Sequence, residues 1–157
     1  MALLDIKNIN CFYGDVQVIY GVSMHINEGE VISLIGANGA GKSTMLKVIS
    51  GLMKPHSGDI LFENQPIHGM RPEKIVERGI IHVPEGRRLF SLMTVKENLD
   101  VGAHNSRAFP HRNDTLKDVY KLLPRLEERE NQQAVTLSGG EQQMVAIGRG
   151  MLAQGIV

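Results

Sequence analysis

The chain has 157 residues and a formal net charge of zero, with 17 basic and 17 acidic side chains. Apolar residues make up 42% and charged residues 22%, which is typical of a folded globular domain and not of a disordered segment. Because the charge is balanced and basic residues are dispersed, the composition does not favour binding to nucleic acid. The single cysteine, Cys11, excludes an internal disulfide. No secretory signal or membrane-spanning stretch is evident, so any membrane role would act through a partner.

Strand patterns dominate the first half of the chain. Residues 2–9 and 16–26 alternate apolar and polar side chains, which predicts half-buried antiparallel strands. Residues 31–35 and 80–83 are short apolar runs between turn residues, and such runs are typical of fully buried strands in a parallel sheet. A further strand is predicted at residues 60–62.

Helical patterns follow, with recognisable start signals. Thr94 and Glu97 have the spacing of a capping box, and Ser138 is a preferred helix N-cap residue. A polar stretch at residues 104–112 predicts a loop. Helices are predicted over residues 42–50, 72–78, 94–103 and 113–123, and after residue 138.

A glycine-rich loop connects the first buried run to the first helix. Its sequence, GANGAGKST, fits the pattern G-x-x-x-x-G-K-[ST] in the strand–loop–helix context that the pattern requires. The glycines let backbone N–H groups point inward at phosphates, and the helix N-terminus favours an anion. Lys42 supplies a charge for the terminal phosphates, and the Ser43 hydroxyl would ligate Mg²⁺. The residues predicted to hold the nucleotide are Gly36, Ala37, Asn38, Gly39, Ala40, Gly41, Lys42, Ser43 and Thr44.

A second motif, LSGGEQQ at residues 137–143, separates the classes of protein that share such a loop. With both motifs, the chain resembles the ATP-binding subunits of ABC transporters, in which two subunits face each other head to tail and enclose two ATP molecules. The resemblance implies that Ser138, Gly139, Gly140 and Gln142 contact ATP held by the phosphate loop of the other subunit. Read without the resemblance, the motif is a serine-capped helix after a glycine turn.

The resemblance also implies roles for two further residues. Tyr13 stands where the family has an aromatic ring that stacks on adenine; the alternative is a packing role. Glu85 stands where most members have a glutamine that contacts Mg²⁺ or water and senses the membrane partner. Glu85 is therefore a candidate catalytic and metal-binding residue, and the alternative is a solvated acid in a loop.

Three segments narrow the family. VPEGRRLF, MTVKENL and LSGGEQQMVAIGRGML are similar to the ATPase subunits of branched-chain amino acid importers, and the smaller of the two such subunits fits best. Importers of urea or short amides are the nearest alternative. The implied cofactors are ATP and Mg²⁺. The implied partners are a second ATPase subunit, membrane permease subunits and, indirectly, a solute-binding protein, which places the chain in the cytoplasm on the inner face of the plasma membrane.

The implied fold is α/β, a P-loop NTPase of the ABC type in a single domain. It comprises an antiparallel β-subdomain with a partial parallel core (about residues 1–93) and a helical subdomain (about residues 94–153). The chain ends before the aliphatic run, the Walker B aspartate and the catalytic glutamate of the family. We therefore expect ATP binding, an incomplete parallel core, and exposed apolar surface at residues 31–35 and 80–83 that promotes aggregation. A non-hydrolysing nucleotide-binding fragment without a transport role is the alternative; an ABC ATPase of DNA repair or translation is disfavoured by the neutral charge.

Overall fold

The computed structural model describes residues 2–153 and divides into two compact units, the first ending at Ile75 and the second beginning at Val76. The boundary that the sequence suggests near residue 93 stays a prediction. Residues 155–157, which precede the expected position of the aliphatic run, lie outside the described residues. Within the described range, none of the helices has the length and apolar character that a membrane span needs.

The first unit is built on one antiparallel sheet with strand order β2-β1-β3-β4. Its elements are β1 (Ala2–Tyr13), β2 (Val16–Asn27), α1 (Lys42–Ile49), β3 (Ser57–Phe62) and β4 (Gln65–Pro66). Helix α2 (Pro72–Glu77) begins in this unit and extends past its last residue, Ile75.

Both predicted strands form, but in β2 the apolar face is not the predicted one: Val16 and Tyr20 are 66% and 70% exposed, and Ile19 is buried. In β1 the predicted alternation is confirmed, since Leu4 and Ile6 lie opposite Phe62 and Ile60 and all four are buried. These cross-strand apolar pairs fix the register, because a one-residue slip would turn them to solvent.

The apolar run at residues 31–35 does not form the buried strand that its composition predicts. Residues 30–37 lie in neither helix nor strand, and Val31 and Ile35 are 95% and 93% exposed. A central parallel strand needs neighbours on both edges, and the described sheet consists of antiparallel strands only. The second run behaves similarly: Ile80 is half-buried and forms a single bridge, and residues 81–83 are half-buried and outside any strand. The expected exposure of apolar surface is thus confirmed for residues 31–35.

The second unit is helical and encloses its own core. Its helices are α3 (Val95–Gly102), α4 (Arg112–Leu122), α5 (Pro124–Glu128) and α6 (Gly139–Leu152), with 3₁₀ turns at Phe109–His111 and Ala134–Thr136. The core is an apolar cluster to which every helix contributes, including Leu99, Val119, Leu126 and Val145. Helix α6 packs closely against Leu99 of α3 because Gly148 has no side chain. A Cβ added at residue 148 would lie 2.9 Å from Leu99 Cδ2.

Start signals in the sequence correctly place two helices of this unit, α3 and α6. Thr94 caps α3 in a complete capping box with Glu97. Inside the first turn of α3, the fully buried Asn98 accepts a hydrogen bond from Phe90 N at 2.9 Å and donates to Phe90 O at 3.0 Å. It also donates to Met93 O and Thr94 O. This amide therefore fixes the linker segment (residues 86–93) to the helix, which no pattern in the sequence indicated.

Candidate nucleotide-binding site

The phosphate loop (residues 36–44) folds as the sequence predicts, curling into the start of α1. Gly39 and Gly41 have φ of 84° and 87°, in the left-handed region that favours glycine. Gly41 is also confined by packing, because an added Cβ would lie 3.1 Å from Val18 O. Ala40 N donates to Ala37 O at 3.1 Å and closes the turn. The left-handed conformation and the close contact both explain why residue 41, directly before Lys42, is glycine.

Lys42 lies over this loop rather than extending into solvent. Its Nζ donates to Gly36 O at 2.7 Å and to Ala37 O at 2.8 Å. The ammonium group is thereby held beside the first turn of α1, where the helix dipole also favours an anion and no acidic residue opposes it. The first backbone amide of α1 that can bond to a carbonyl one turn earlier is Met45 N, at 2.8 Å from Gly41 O, so the amides before it are those left for a ligand. The loop is arranged to receive phosphate groups.

The donor set suits Mg²⁺ bound together with phosphates. Ser43 is exposed in the first turn of α1, and Mg²⁺ typically takes one or two protein oxygens while keeping substrate phosphates and water as its other ligands. The described residues contain no cluster of three or more His, Cys, Asp or Glu that could hold an ion by themselves. A metal at this place would therefore depend on the nucleotide.

An apolar cavity of about 260 Å³ adjoins the loop on the side of β2. Tyr20 and Val18 line it together with Ile35, Gly41 and Lys42. Tyr13, which the resemblance assigns to adenine, lies at the end of β1 opposite Val16, is 49% exposed, and is not among the lining residues. Sequence reasoning overlooked Tyr20, although its place in the alternating pattern of β2 put it on the same face as Val18.

The signature turn (residues 138–140) begins α6 in the second unit. Ser138 is the N-cap, with its Oγ accepting from Glu141 N at 3.3 Å and its own N donating to Glu141 Oε2 at 2.9 Å. These bonds from Ser138, followed by the charge of Arg129, lower the pKa of the Glu141 carboxyl. All three residues of the turn are exposed, so the amides at this helix end face solvent. The predicted cap is confirmed.

The side chains of Gln142 and Glu85 differ from each other in their hydrogen bonding. Both polar ends of Gln142 are occupied inside the unit: its Oε1 accepts from Arg87 Nη1 at 2.7 Å, and its Nε2 donates to Ala134 O at 3.1 Å. Glu85 is exposed in the turn before Arg87, and it forms no hydrogen bond or ion pair with any residue that the structure describes. The phosphate loop thus lies in the first unit, while Glu85 and the signature turn lie in the second.

A phosphate-binding loop at one helix start and a serine-capped glycine turn at another define a nucleotide-binding cassette. The model of the ABC transporter family matches residues 19–156, and the chain belongs to this family.

Similarity to individual proteins agrees with this assignment. The chain is 42% identical over 155 residues to the high-affinity branched-chain amino acid transport ATP-binding protein BraG of Pseudomonas aeruginosa, covering 97% of this chain and 65% of that protein. A nucleotide-free ATP-binding cassette from an ABC transporter superimposes with a TM-score of 0.86 at 30% identity, covering 99% of this chain and 66% of that one. A dimeric bacterial ABC transporter cassette gives a TM-score of 0.79 at 29% identity, over 97% and 70%. The ABC-type α/β fold is therefore confirmed, and the chain spans about two thirds of the length of BraG.

Proposed function

We propose that the chain is the nucleotide-binding part of an ABC importer ATPase that energises uptake of branched-chain amino acids. The observation that carries this proposal is the folded phosphate loop, with Lys42 held over the carbonyl groups of Gly36 and Ala37. The 42% identity to BraG supports the substrate class. It favours branched-chain amino acids over urea or short amides.

Nucleotide binding follows from the geometry of the loop. Lys42 Nζ exchanges its two carbonyl acceptors for phosphate oxygens, which are stronger acceptors because they are charged. The free amides at the start of α1 bind the same phosphates, and Ser43 offers its hydroxyl to Mg²⁺, which neutralises phosphate charge when bound. Tyr13, half-exposed at the end of β1, is the proposed adenine contact.

The signature turn is proposed to complete the site of a second subunit. Ser138, Gly139 and Gly140 present a hydroxyl and helix-terminal amides to solvent, and a partner's γ-phosphate fits such a position. Gln142 can join them only by releasing Arg87 or Ala134, because both ends of its amide are engaged. The dimeric cassette of the same fold supports pairing with a second subunit.

Hydrolysis and transport are proposed for the whole protein. Glu85, exposed and unbonded among the described residues, is the proposed contact of this chain with the metal or the attacking water. The segment from Glu85 to Phe90 and the helical unit would meet the permease at the inner face of the plasma membrane. A solute-binding protein would act on the outer side, through the permease.

Titration with a fluorescent ATP analogue and Mg²⁺ tests the binding step. Lys42→Ala should weaken binding by about tenfold or more, the equivalent of one lost charge-assisted hydrogen bond. Lys47→Ala is the matched control, because Lys47 is an exposed lysine on the same helix outside the loop. Equal affinity for both variants would show that the loop does not bind the nucleotide.

Phosphate release measured in the same samples tests the catalytic part. Binding without release would favour the non-hydrolysing alternative for this chain. Release that Lys42→Ala abolishes and Glu85→Gln reduces at least tenfold would assign Glu85 a catalytic role. Release unaffected by Glu85→Gln would exclude that role.

Uptake by whole cells tests the transport part. When the Lys42→Ala change is made in the gene of the source organism, uptake of radiolabelled leucine should fall, while uptake of an unrelated solute should not. A loss of urea uptake with normal leucine uptake would move the substrate to the alternative class.

A further inference from the structure

We propose that Arg87 is a positioning residue for the signature turn, acting through Gln142 and Gly139. The site that it would position is the proposed trans ATP contact, so its functional consequence rests on the proposed function. The contacts themselves lie entirely within the second unit.

Arg87 touches the start of α6 in two ways. Its Nη1 donates to Gln142 Oε1 at 2.7 Å, and its guanidinium lies against Gly139. A Cβ added to Gly139 would lie 3.3 Å from Arg87 Nη2 and 3.7 Å from Cζ, whereas a Cβ added to Gly140 would meet nothing within 4 Å. The absence of a side chain at residue 139 therefore leaves room for the guanidinium, and residue 140 has no such role.

The backbone that carries Arg87 is held in an unusual conformation. Arg87 and Arg88 have φ of 62° and 45°, a region that residues other than glycine rarely adopt. Arg149 on α6 stabilises this conformation, since its Nη2 donates to Arg87 O at 3.0 Å and its Nη1 to Arg88 O at 2.9 Å. Arg149 of α6 thus fixes the backbone of the linker segment, and the Arg87 side chain of the linker segment in turn contacts α6.

Gln142 bonds to Arg87 and also to the residues before the signature turn. While its Oε1 receives Arg87, its Nε2 donates to Ala134 O at 3.1 Å. Ala134 N in turn donates to Met93 O at 3.0 Å in the same linker segment. The hydrogen bonds that link Arg87, Gln142, Ala134 and Met93 therefore connect both ends of the linker segment to the first turn of α6.

This hydrogen-bond network gives Arg87 a different role from a residue that only adds stability. A shift of the backbone at residues 85–88 moves the guanidinium over Gly139 and changes the acceptor available to it on Gln142. The orientation of the first turn of α6 therefore depends on the conformation of the segment that carries Glu85. Arg88, whose side chain makes no hydrogen bond or ion pair with the described residues, lacks this connection.

Amide hydrogen exchange measured by NMR on the nucleotide-free chain tests the positioning role. Glu141 N and Gln142 N bond to Ser138 Oγ and Ser138 O, so their exchange reports opening of the first turn of α6. We expect Arg87→Ala to accelerate exchange at these two amides about tenfold, with amides near Val145 unchanged. Arg88→Ala is the matched control, because it removes a neighbouring guanidinium from the same left-handed backbone, and should change exchange less than twofold.

Further variants separate positioning from general stability. Arg87→Lys keeps one donor for Gln142 Oε1 and should restore exchange to within threefold of the natural chain. Gly139→Ala should accelerate exchange in the natural chain and have less than a twofold effect when combined with Arg87→Ala. Equal effects of Arg87→Ala and Arg88→Ala, or acceleration along all of α6, would overturn the proposal. If Arg87→Ala does not fold, the same comparison is made with Gln142→Leu and Arg87→Lys.

ATP-dependent self-association, followed by sedimentation, tests the consequence. Arg87→Ala should weaken association about tenfold while changing the affinity for the fluorescent ATP analogue less than twofold. Unchanged association, in samples where the natural chain associates, would overturn the functional consequence. If the natural chain binds ATP but does not associate, the proposed trans site is wrong for this chain, and the exchange measurements decide the role of Arg87 independently.

Discussion

The two glycine turns of this chain precede helices in the same way but are stabilised differently. The phosphate loop is held by its own lysine and by left-handed glycines, and it follows the exposed run at residues 31–35. The signature turn is held by a capping box, by the ion pair of Glu141 with Arg129 at 2.9 Å, and by Arg87. Beneath it lies a closed apolar core. The first turn is thus kept in shape mainly by backbone conformation and the second by side chains, so substitutions should affect them unequally.

Within the helical unit, the largest effect is expected at Asn98, which anchors the linker segment. Replacing it with Leu removes four hydrogen bonds. Phe90 N loses its acceptor, whereas the carbonyl groups of Phe90, Met93 and Thr94 keep only their backbone donors. We expect a loss of about 3 kcal/mol in the free energy of unfolding, measured with urea. Asn131→Ala, at an exposed asparagine of the same unit, should change it by less than about 0.5 kcal/mol. A loss below about 1 kcal/mol at Asn98 would show that side-chain anchoring matters less in this unit than the structure indicates.

Gly148→Ala should have the next largest effect, because it tests the packing beneath the signature helix. The added methyl group would lie 2.9 Å from Leu99 Cδ2 and 3.1 Å from Val119 Cγ1. Overpacking should cost about 1–3 kcal/mol, partly offset by the better helix propensity of alanine, about 1 kcal/mol. Gly140→Ala on the same helix enters open space and should be neutral or stabilising. Equal urea midpoints for the two variants would show that α6 is loosely packed.

Ser138→Ala should cost about 1 kcal/mol of stability, the typical value for a helix N-cap, and should also alter the pH dependence. Hydrogen bonds from Ser138 lower the pKa of Glu141 below its ordinary value of 4.5. The folded chain therefore holds the proton less tightly than the unfolded chain, so this stabilisation is present above about pH 4.5 and is lost as the pH falls through the folded pKa.

Thermal unfolding measured between pH 3 and pH 7 checks this prediction. The natural chain should lose stability below about pH 4.5 more steeply than Ser138→Ala, since the variant lacks the Ser138 Oγ hydrogen bond that helps to depress the pKa of Glu141 and keeps only the bond from the backbone N–H. Parallel pH profiles would exclude the Ser138 hydroxyl as a cause. Thr94→Ala is a comparison within the same unit, because Glu97 has its pKa lowered by Thr94 in the same manner.

The smallest effect on folding is expected in the exposed run before the phosphate loop. Val31 and Ile35 are 95% and 93% exposed, so the double change to Ser removes little buried area and should alter the free energy of unfolding by less than about 0.5 kcal/mol. It should nevertheless slow aggregation, measured by light scattering, because it removes exposed apolar surface. Ile60→Ser, at a fully buried residue of β3, should instead cost several kcal/mol, of the order of 3 or more. A large loss of stability in the exposed variant would show that this run is buried in solution.

Most elements and both nucleotide motifs could be predicted from the sequence because their signals are local. Alternation in β1 and β2, the capping residues Thr94 and Ser138, and the loop ending at Lys42 each depend on a few neighbouring residues. Prediction failed where a segment depends on partners distant in sequence. The run at residues 31–35 has the composition of a buried strand, but a strand forms only where neighbouring strands supply hydrogen-bond partners. Helix α5 and the 3₁₀ turns are too short to show a helical period.

The phosphate loop, the signature turn and the family can be identified from the sequence alone, because short motifs with fixed spacing carry the necessary backbone conformations and charges. Three contacts could be seen only in the folded chain: Lys42 lies on the carbonyl groups of its own loop, Asn98 anchors the linker segment, and Arg87 lies against Gly139. Each of these contacts joins groups whose proximity is set by chain packing. Gln142 is the clearest case: its type suits a nucleotide contact, yet both ends of its amide are engaged by Arg87 and Ala134, 55 and 8 residues away along the chain.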